Sequence, residues 1–76
     1  MMDKVMVKSI VDKFYAYAQR NVELMMDGVD AEMAAESILD SYSTEYLSEE
    51  EGDFLGNNWN AIFPLAVKRL KEYYFA

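Results

Sequence analysis

Carboxylates are the only side chains in this sequence numerous enough for acid–base chemistry or for binding a cation. The 76 residues include fourteen Asp and Glu, but no His and no Cys. Disulfides, thiolate nucleophiles, imidazole bases and the usual zinc sites are therefore excluded. A catalytic pair of carboxylates needs a pocket that removes water from one acid and raises its pKa. Chains this short seldom enclose such a pocket, so we expect no catalytic residue and no enzyme activity.

The acid-rich centre of the chain contains one window with the length of a calcium-binding loop. It begins at Asp40 and ends at Glu51, but Tyr42 occupies the third position and Glu45 the sixth, where that loop requires glycine. The three glycines are isolated, so no phosphate-binding loop is present either. We therefore expect no metal and no cofactor.

Charge divides the chain into three blocks. Residues 1–20 and residues 68–76 each carry a net charge of +2, whereas residues 21–67, the acidic block, hold eleven acids and no Lys or Arg. The net charge of −7 argues against direct binding to nucleic-acid phosphates. One interpretation is a solvated surface that maintains solubility and pairs with the two basic ends. The other is a negative surface shaped for a basic partner.

Apolar residues at helical spacing in the first third of the chain predict a long N-terminal helix. The stripe consists of Val7, Val11, Phe14, Ala18, Val22 and Met25. Asp3 is suited to cap the helix N-terminus, and Gly28 is suited to the left-handed position that ends a helix. We expect this helix to run from about Asp3 to Met26, with Phe14 in the core.

A second helix is predicted from about Ala31 to Tyr42, with Asp30 as its N-cap. Its inner face is expected to carry Met33, Ala34 and Ile38, together with either Tyr42 or Leu39. Its opposite face is expected to carry three carboxylates at intervals of four residues, Glu32, Glu36 and Asp40. That interval places them about 6 Å apart along the helix axis, a spacing comparable to that of phosphates on a nucleic-acid strand.

Two further helices are predicted in the second half of the chain. Ser48 with Glu51 matches a capping box, which predicts a short helix from Glu49 to about Leu55. In the last segment Pro64 either kinks one helix from about Asn58 to Phe75 or begins a shorter helix that ends at Phe75. The core residues expected from this segment are Trp59, Phe63, Leu70 and Tyr74.

The whole sequence, residues 1–76, therefore predicts a single acidic domain with an all-α fold, a small bundle of three to four helices.

No apolar run approaches the roughly 18 residues of a membrane span. No signal-peptide hydrophobic region follows the basic N-terminus. We expect a cytoplasmic protein.

Aromatic and Met residues exceed what a core of this size obviously hides, since the chain holds six Tyr, four Phe and six Met. Tyr and Met are enriched at protein interfaces. A homodimer or a partner is therefore expected to contact an apolar interface at Tyr42, Tyr46, Tyr73 and Phe75.

The small size, acidity, predicted helicity and lack of Cys and His give the chain a composition that resembles known classes of small proteins. It resembles the inhibitors that bacteriophages and mobile elements encode, including anti-CRISPR proteins and DNA mimics, and also some small bacterial antitoxins and immunity proteins. The resemblance is one of composition, and it assigns no role to any residue.

The acidic block itself predicts a protein-binding module that blocks a basic, nucleic-acid-handling surface of a larger protein. The carboxylates expected to bind the partner are Glu32, Glu36, Asp40, Glu45, Glu49, Glu50, Glu51 and Asp53. The alternative is a homo-oligomeric structural or scaffolding protein, or an antitoxin or immunity-type protein, whose acidity only serves solubility.

Overall fold

The computed structural model describes residues 3–25 and 29–74, and 85% of these residues are helical. The four α-helices are α1 (Lys4–Arg20), α2 (Ala31–Glu36), α3 (Glu49–Asn57) and α4 (Trp59–Tyr73). A π-helical turn, Ser37–Ser41, continues α2, and short 3₁₀ turns lie at Val22–Met25 and Ser43–Glu45. No strand occurs in the described residues. The predicted all-α bundle is confirmed.

α1 begins where the sequence predicts and buries the expected apolar stripe. The Asp3 carboxylate accepts hydrogen bonds from the backbone N–H groups of Val5 and Met6, at 3.0 and 3.2 Å, which confirms it as the N-cap. Phe14 is completely buried. The residues of α1 in the core are Val7, Ile10, Val11, Phe14, Tyr17 and Ala18.

α1 ends at Arg20, so the prediction of one helix reaching Met26 is wrong. Asn21 leaves the helical conformation, with φ −130° and ψ 53°. Its side-chain amide donates to the Tyr17 carbonyl oxygen at 2.9 Å, and this is the oxygen that a continuing helix would pair with the Asn21 backbone N–H. Val22, expected on the apolar stripe, is consequently 52% exposed. The predicted helix cap at Gly28 lies outside the described residues.

The predicted N-cap of α2 is confirmed, because the Asp30 carboxylate accepts a hydrogen bond from the Met33 N–H at 2.8 Å. The buried residues of this segment are Ala31, Ala34, Ala35, Ile38 and Leu39. Met33 was expected among them but is 56% exposed. Met33 lies two positions from both Ala31 and Ala35, which corresponds to a rotation of about 200° around an α-helix. Its side chain therefore points away from the face that carries these two buried residues.

Helical structure from α2 continues through the π turn to Ser41, close to the predicted end at Tyr42. The carbonyl oxygen of Ile38 lies in the last turn of this segment, where helices leave acceptors without a backbone partner. The Tyr46 hydroxyl donates to that oxygen at 2.7 Å. The side chain of Tyr46 thus stabilises the π turn that carries Asp40.

α4 runs without interruption through Pro64, so a single helix is present rather than a new one beginning at the proline. Proline leaves the carbonyl of Asn60, four residues earlier, without a helical donor. Both residues are exposed, so water can reach that carbonyl. The core residues of α4 are Ile62, Ala66, Val67 and Leu70.

Three of the aromatic residues expected in the core are not buried there. Tyr74 is 37% exposed, and Trp59 and Phe63 are only half-buried against the core. Trp59 is the first residue of α4, so it lies at an end of the bundle. α4 packs against α1 and α2, and α3 packs against α1 and α4.

Candidate functional site

The three carboxylates predicted on the outer face of α2 are all exposed there. We call Glu32, Glu36 and Asp40 the α2 carboxylates. Glu36 and Asp40 line a common hollow with Met33, in the groove beside the π turn. The periodicity therefore places these side chains on the solvent face, as the sequence predicts.

The remaining predicted partner-binding residues lie elsewhere in the structure. Glu49 and Asp53 line one hollow with Ser43 and Thr44, at the N-terminal part of α3. Glu50, which follows Glu49 in the first turn of α3, is exposed to solvent. Glu45 is exposed beside Tyr17. Burial and then the Glu45 charge raise the pKa of the Tyr17 hydroxyl. The eight carboxylates thus do not all line one hollow.

Glu51 is buried, so the expectation that it binds a partner does not match its position. Its side chain is 8% exposed, and Lys13 Nζ lies 2.8 Å from each of its carboxylate oxygens. The Ser9 hydroxyl donates to Glu51 at 2.9 Å, and the Ser48 backbone N–H donates at 2.9 Å. Hydrogen bonds from Lys13, then from the Ser48 backbone, lower the pKa of Glu51 to about 2. The predicted capping box is confirmed. The contacts of the Glu51 side chain with Lys13 and Ser9 also join α3 to α1.

Most acids in the described part of the acidic block take part in no intramolecular ion pair. Lys8 and Arg69 both pair with Asp12, at 2.6 and 3.4 Å, and Asp12 belongs to the basic N-terminal block. In the part of residues 21–67 that the structure describes, Glu51 is the one acid with an ion-pair partner. The α2 carboxylates therefore keep their charge exposed to solvent without a basic side chain within ion-pair distance.

The two basic ends of the chain come together in space. Lys4 and Lys8 of α1 line one groove with Lys68 and Arg69 of α4. The groove is also lined by the apolar side chains of Val7, Val11 and Leu65 and by one acid, Glu72. Much of the positive charge is thus gathered between α1 and α4, whereas α2 presents negative charge.

Two of the predicted interface tyrosines take part in the packing of the bundle. Tyr42 and Tyr46 are half-buried, and their ring centroids lie 6.0 and 4.8 Å from that of Tyr17. Burial raises the pKa of the Tyr46 hydroxyl, which is bound to the Ile38 carbonyl. These tyrosines therefore contact α1 and the π turn.

The other part of the predicted apolar interface lies in a different aromatic cluster. Tyr73 is 62% exposed, and its ring centroid is 5.2 Å from that of Tyr15. Tyr74 approaches the same ring at 5.9 Å. Phe75 lies outside the described residues. Tyr73 is consequently not part of one patch with Tyr42 and Tyr46.

A half-exposed aromatic pair, which the sequence interpretation assigned to the core, lies beside two of the α2 carboxylates. The rings of Trp59 and Phe63 stack with centroids 5.4 Å apart and planes 13° from parallel. With Glu36 and Asp40 they line a hollow of about 440 Å³. Trp59 is the first residue of its helix, a position that favours exposure of its side chain. The approach of the α2 carboxylates to the two rings, in contrast, depends on tertiary packing.

Phe63 also connects this hollow to a larger one along the groove between α2 and α4. The larger hollow has a volume of about 570 Å³, with Phe63, Pro64 and Val67 as its apolar lining and Glu32 at its edge. Lys68, Lys71 and Glu72 of α4 also line it. The groove is therefore negative at the Trp59 end and mixed in charge towards the C-terminal end of α4.

Neither a metal centre nor a membrane-spanning helix is found in residues 3–25 and 29–74. Within these residues, no group of three or more acidic side chains is placed to hold a metal ion. None of their helices has both the length and the apolar character that crossing a membrane takes. Comparison of the chain with models of protein families, with curated proteins and with solved structures finds no match.

Proposed function

We propose that this protein is an acidic binding module that blocks a basic, nucleic-acid-handling surface of a larger protein. One observation carries the proposal: in the described part of the acidic block, Glu51 alone has an ion-pair partner. None of the seven Lys and Arg residues, all of which the structure describes, lies within ion-pair distance of an α2 carboxylate, although Lys68 and Lys71 share a hollow with Glu32. An exposed, uncompensated row of negative charge attracts a complementary positive surface and orients it during encounter.

The role that we propose is binding rather than catalysis. A general acid that works near neutral pH needs a raised pKa, which desolvation or a neighbouring negative charge provides. Among the residues that the structure describes, Glu51 is the one buried acid, and its pKa is lowered to about 2. Its partners are Lys13 and two serines, so its chemistry is that of a structural ion pair.

Charge reversal of the α2 carboxylates tests the proposal. The test variant combines Glu32→Lys, Glu36→Lys and Asp40→Lys, which changes the net charge from −7 to about −1 because each substitution adds two charges. The control variant combines Glu45→Lys, Glu50→Lys and Asp53→Lys, three exposed acids that the sequence predicted to bind the partner but that do not line the hollows between α2 and α4, so the proposal now places them outside the interface. Both variants carry the same net charge, so a difference between them reports the position of the charge.

The measurement is affinity for the partner, which is first captured from the native host with the wild-type protein and then purified. Like charges brought together in an interface cost several kcal/mol, so we expect the α2 variant to bind at least about 100-fold more weakly. The control variant is expected to retain most of the affinity. Equal affinity of the α2 variant and the wild type, on samples shown to be folded, would contradict the proposal.

Salt provides an independent test of the same proposal. The Debye length falls from about 10 Å at 0.1 M salt to about 3 Å at 1 M. We therefore expect affinity for the partner to fall steeply as salt is added. An apolar interface would show little such dependence.

The alternative function, a homo-oligomer whose acidity serves solubility, is favoured by exposed apolar side chains. Val5 is 79% exposed and Leu65 is 42% exposed, on the two helices that form the basic groove. Self-association stabilises the folded state by mass action, so the melting temperature would then rise with protein concentration. A constant melting temperature over a hundredfold concentration range, with a monomeric mass by light scattering, excludes this alternative.

A further inference from the structure

The hollow at the start of α4 combines the two kinds of group that bind a guanidinium ion. Trp59 and Phe63 supply parallel aromatic rings, and Glu36 and Asp40 supply exposed carboxylates from the α2 side. No Lys or Arg lines this hollow. Among the described residues, neither carboxylate has an ion-pair partner. The lining of the hollow therefore complements a positively charged, planar group.

The same chain holds one of its own guanidinium groups by this combination of groups. The central carbon of the Arg69 guanidinium lies 5.4 Å from the centroid of the Tyr15 ring. The same group donates to the Asp12 carboxylate at 3.4 Å. The Tyr15 ring and the Asp12 carboxylate, both on α1, thus contact the same guanidinium group of Arg69 on α4. The hollow at Trp59 presents the same two kinds of group, an aromatic ring and a carboxylate.

We infer that the hollow formed by Glu36, Asp40, Trp59 and Phe63 receives an arginine side chain of the partner protein. The inference rests on the proposed function, because it names the residue by which the basic partner is recognised. A planar guanidinium can stack on an aromatic ring while it donates two hydrogen bonds to a carboxylate. The compact ammonium of lysine does not offer this geometry.

The position of Asp40 agrees with a recognition role for this part of the groove. Asp40 lies in the π-helical turn that continues α2. Such turns are rare, and they are found frequently at functional sites. The Tyr46 hydroxyl fixes this turn through the Ile38 carbonyl. The carboxylate is therefore held on an element that has its own structural support.

Trp59 is the only tryptophan of the chain, so its fluorescence reports directly on the hollow. The probes are tetraarginine amide and tetralysine amide, which carry equal charge, titrated into the full-length protein at low salt. We expect tetraarginine to change the Trp59 emission saturably and to bind about 3- to 10-fold more tightly than tetralysine. Non-specific attraction to the acidic block would affect both peptides equally.

Matched variants locate the binding. Asp40→Asn is expected to weaken tetraarginine binding about threefold or more, whereas Glu23→Gln, which removes an exposed carboxylate outside the predicted partner-binding residues, changes it by less than about twofold. Phe63→Leu is compared with Phe54→Leu, which replaces another half-buried phenylalanine but lies outside the hollow. Only the change at Phe63 is expected to reduce the preference for arginine. Circular dichroism verifies that each variant is folded.

Two results would overturn the inference. One is equal affinity for tetraarginine and tetralysine. The other is saturable binding of tetraarginine that leaves the Trp59 emission unchanged. Either result would leave the proposed function standing if reversal of the α2 carboxylates still abolishes partner binding, because that binding then depends on charge alone. The two claims therefore fail separately.

Discussion

Replacement of Glu51 by glutamine is the perturbation whose effect the structure specifies most fully. Glutamine keeps the shape of the side chain and an oxygen that can accept the Ser48 N–H, so the capping box survives. What is lost is the negative charge that Lys13 contacts at 2.8 Å from both carboxylate oxygens. Glu51→Gln thus removes the ion pair between α3 and α1 with little change in packing.

The magnitude follows from the lowered pKa of Glu51. Its pKa is about 2 in the folded protein against a reference value of 4.5. One pKa unit corresponds to about 1.4 kcal/mol, so the ionised carboxylate adds about 3 kcal/mol to the free energy of unfolding at neutral pH. A domain of this length has little more stability than that in total. We expect Glu51→Gln to lower the melting temperature by about 10–25 °C.

The pH dependence gives the sign of the effect. Because the folded-state pKa lies below the unfolded-state value, the stabilisation is complete above about pH 5 and is lost as the pH falls towards 2. The wild type should therefore lose about 3 kcal/mol over this range that the Glu51→Gln variant does not lose. The two proteins should approach equal stability near pH 2.

Urea unfolding at pH 7, pH 3 and pH 2, followed by circular dichroism, measures these quantities. Glu50→Gln is the matched control, because its side chain is exposed one residue away and should change stability by less than about 0.5 kcal/mol. Lys13→Met should be as destabilising as Glu51→Gln, since it leaves the buried carboxylate without its cation. A cost below about 0.5 kcal/mol for Glu51→Gln at pH 7 would refute the structural role assigned to this pair.

The fold makes further predictions for the core and the caps, all measurable by urea unfolding. Phe14→Ala removes a completely buried ring and should cost about 3–5 kcal/mol, enough to leave much of the chain unfolded; native-like stability of this variant would contradict the buried position of Phe14. Tyr46→Phe deletes the donor to the Ile38 carbonyl and should cost about 1 kcal/mol. Asp3→Ala removes the N-cap of α1 and should cost about 0.5–2 kcal/mol, whereas Asp53→Ala, which caps nothing, should be close to neutral.

The features that sequence predicted well are determined by neighbours along the chain. Asp3, Asp30 and the Ser48–Glu51 capping box act on backbone groups two or three residues away, so residue type and position suffice to identify them. The same holds for the outward direction of the α2 carboxylates, which helical periodicity determines. These local features suffice to predict the all-α fold and part of the candidate site.

The errors arose where a residue's surroundings come from a distant part of the chain. Glu51 reads as one of three adjacent surface acids, and only the approach of Lys13 and Ser9 from α1 shows that it is buried. Trp59 lies on an apolar stripe, but its exposure depends on what α2 presents opposite it. The early end of α1 is local, and the Asn21 side chain that competes for the Tyr17 carbonyl was the available signal.

Competition with nucleic acid tests the central claim most directly. The complex of this protein with its purified partner is titrated with nucleic acid that the partner binds, at fixed salt, and the fraction of intact complex is measured. If the α2 carboxylates occupy the basic surface that normally holds nucleic acid, the two ligands exclude one another. The apparent affinity for the protein should then fall in proportion to the nucleic acid added. A ternary complex, in which the partner holds both ligands with undiminished affinity, would contradict the account.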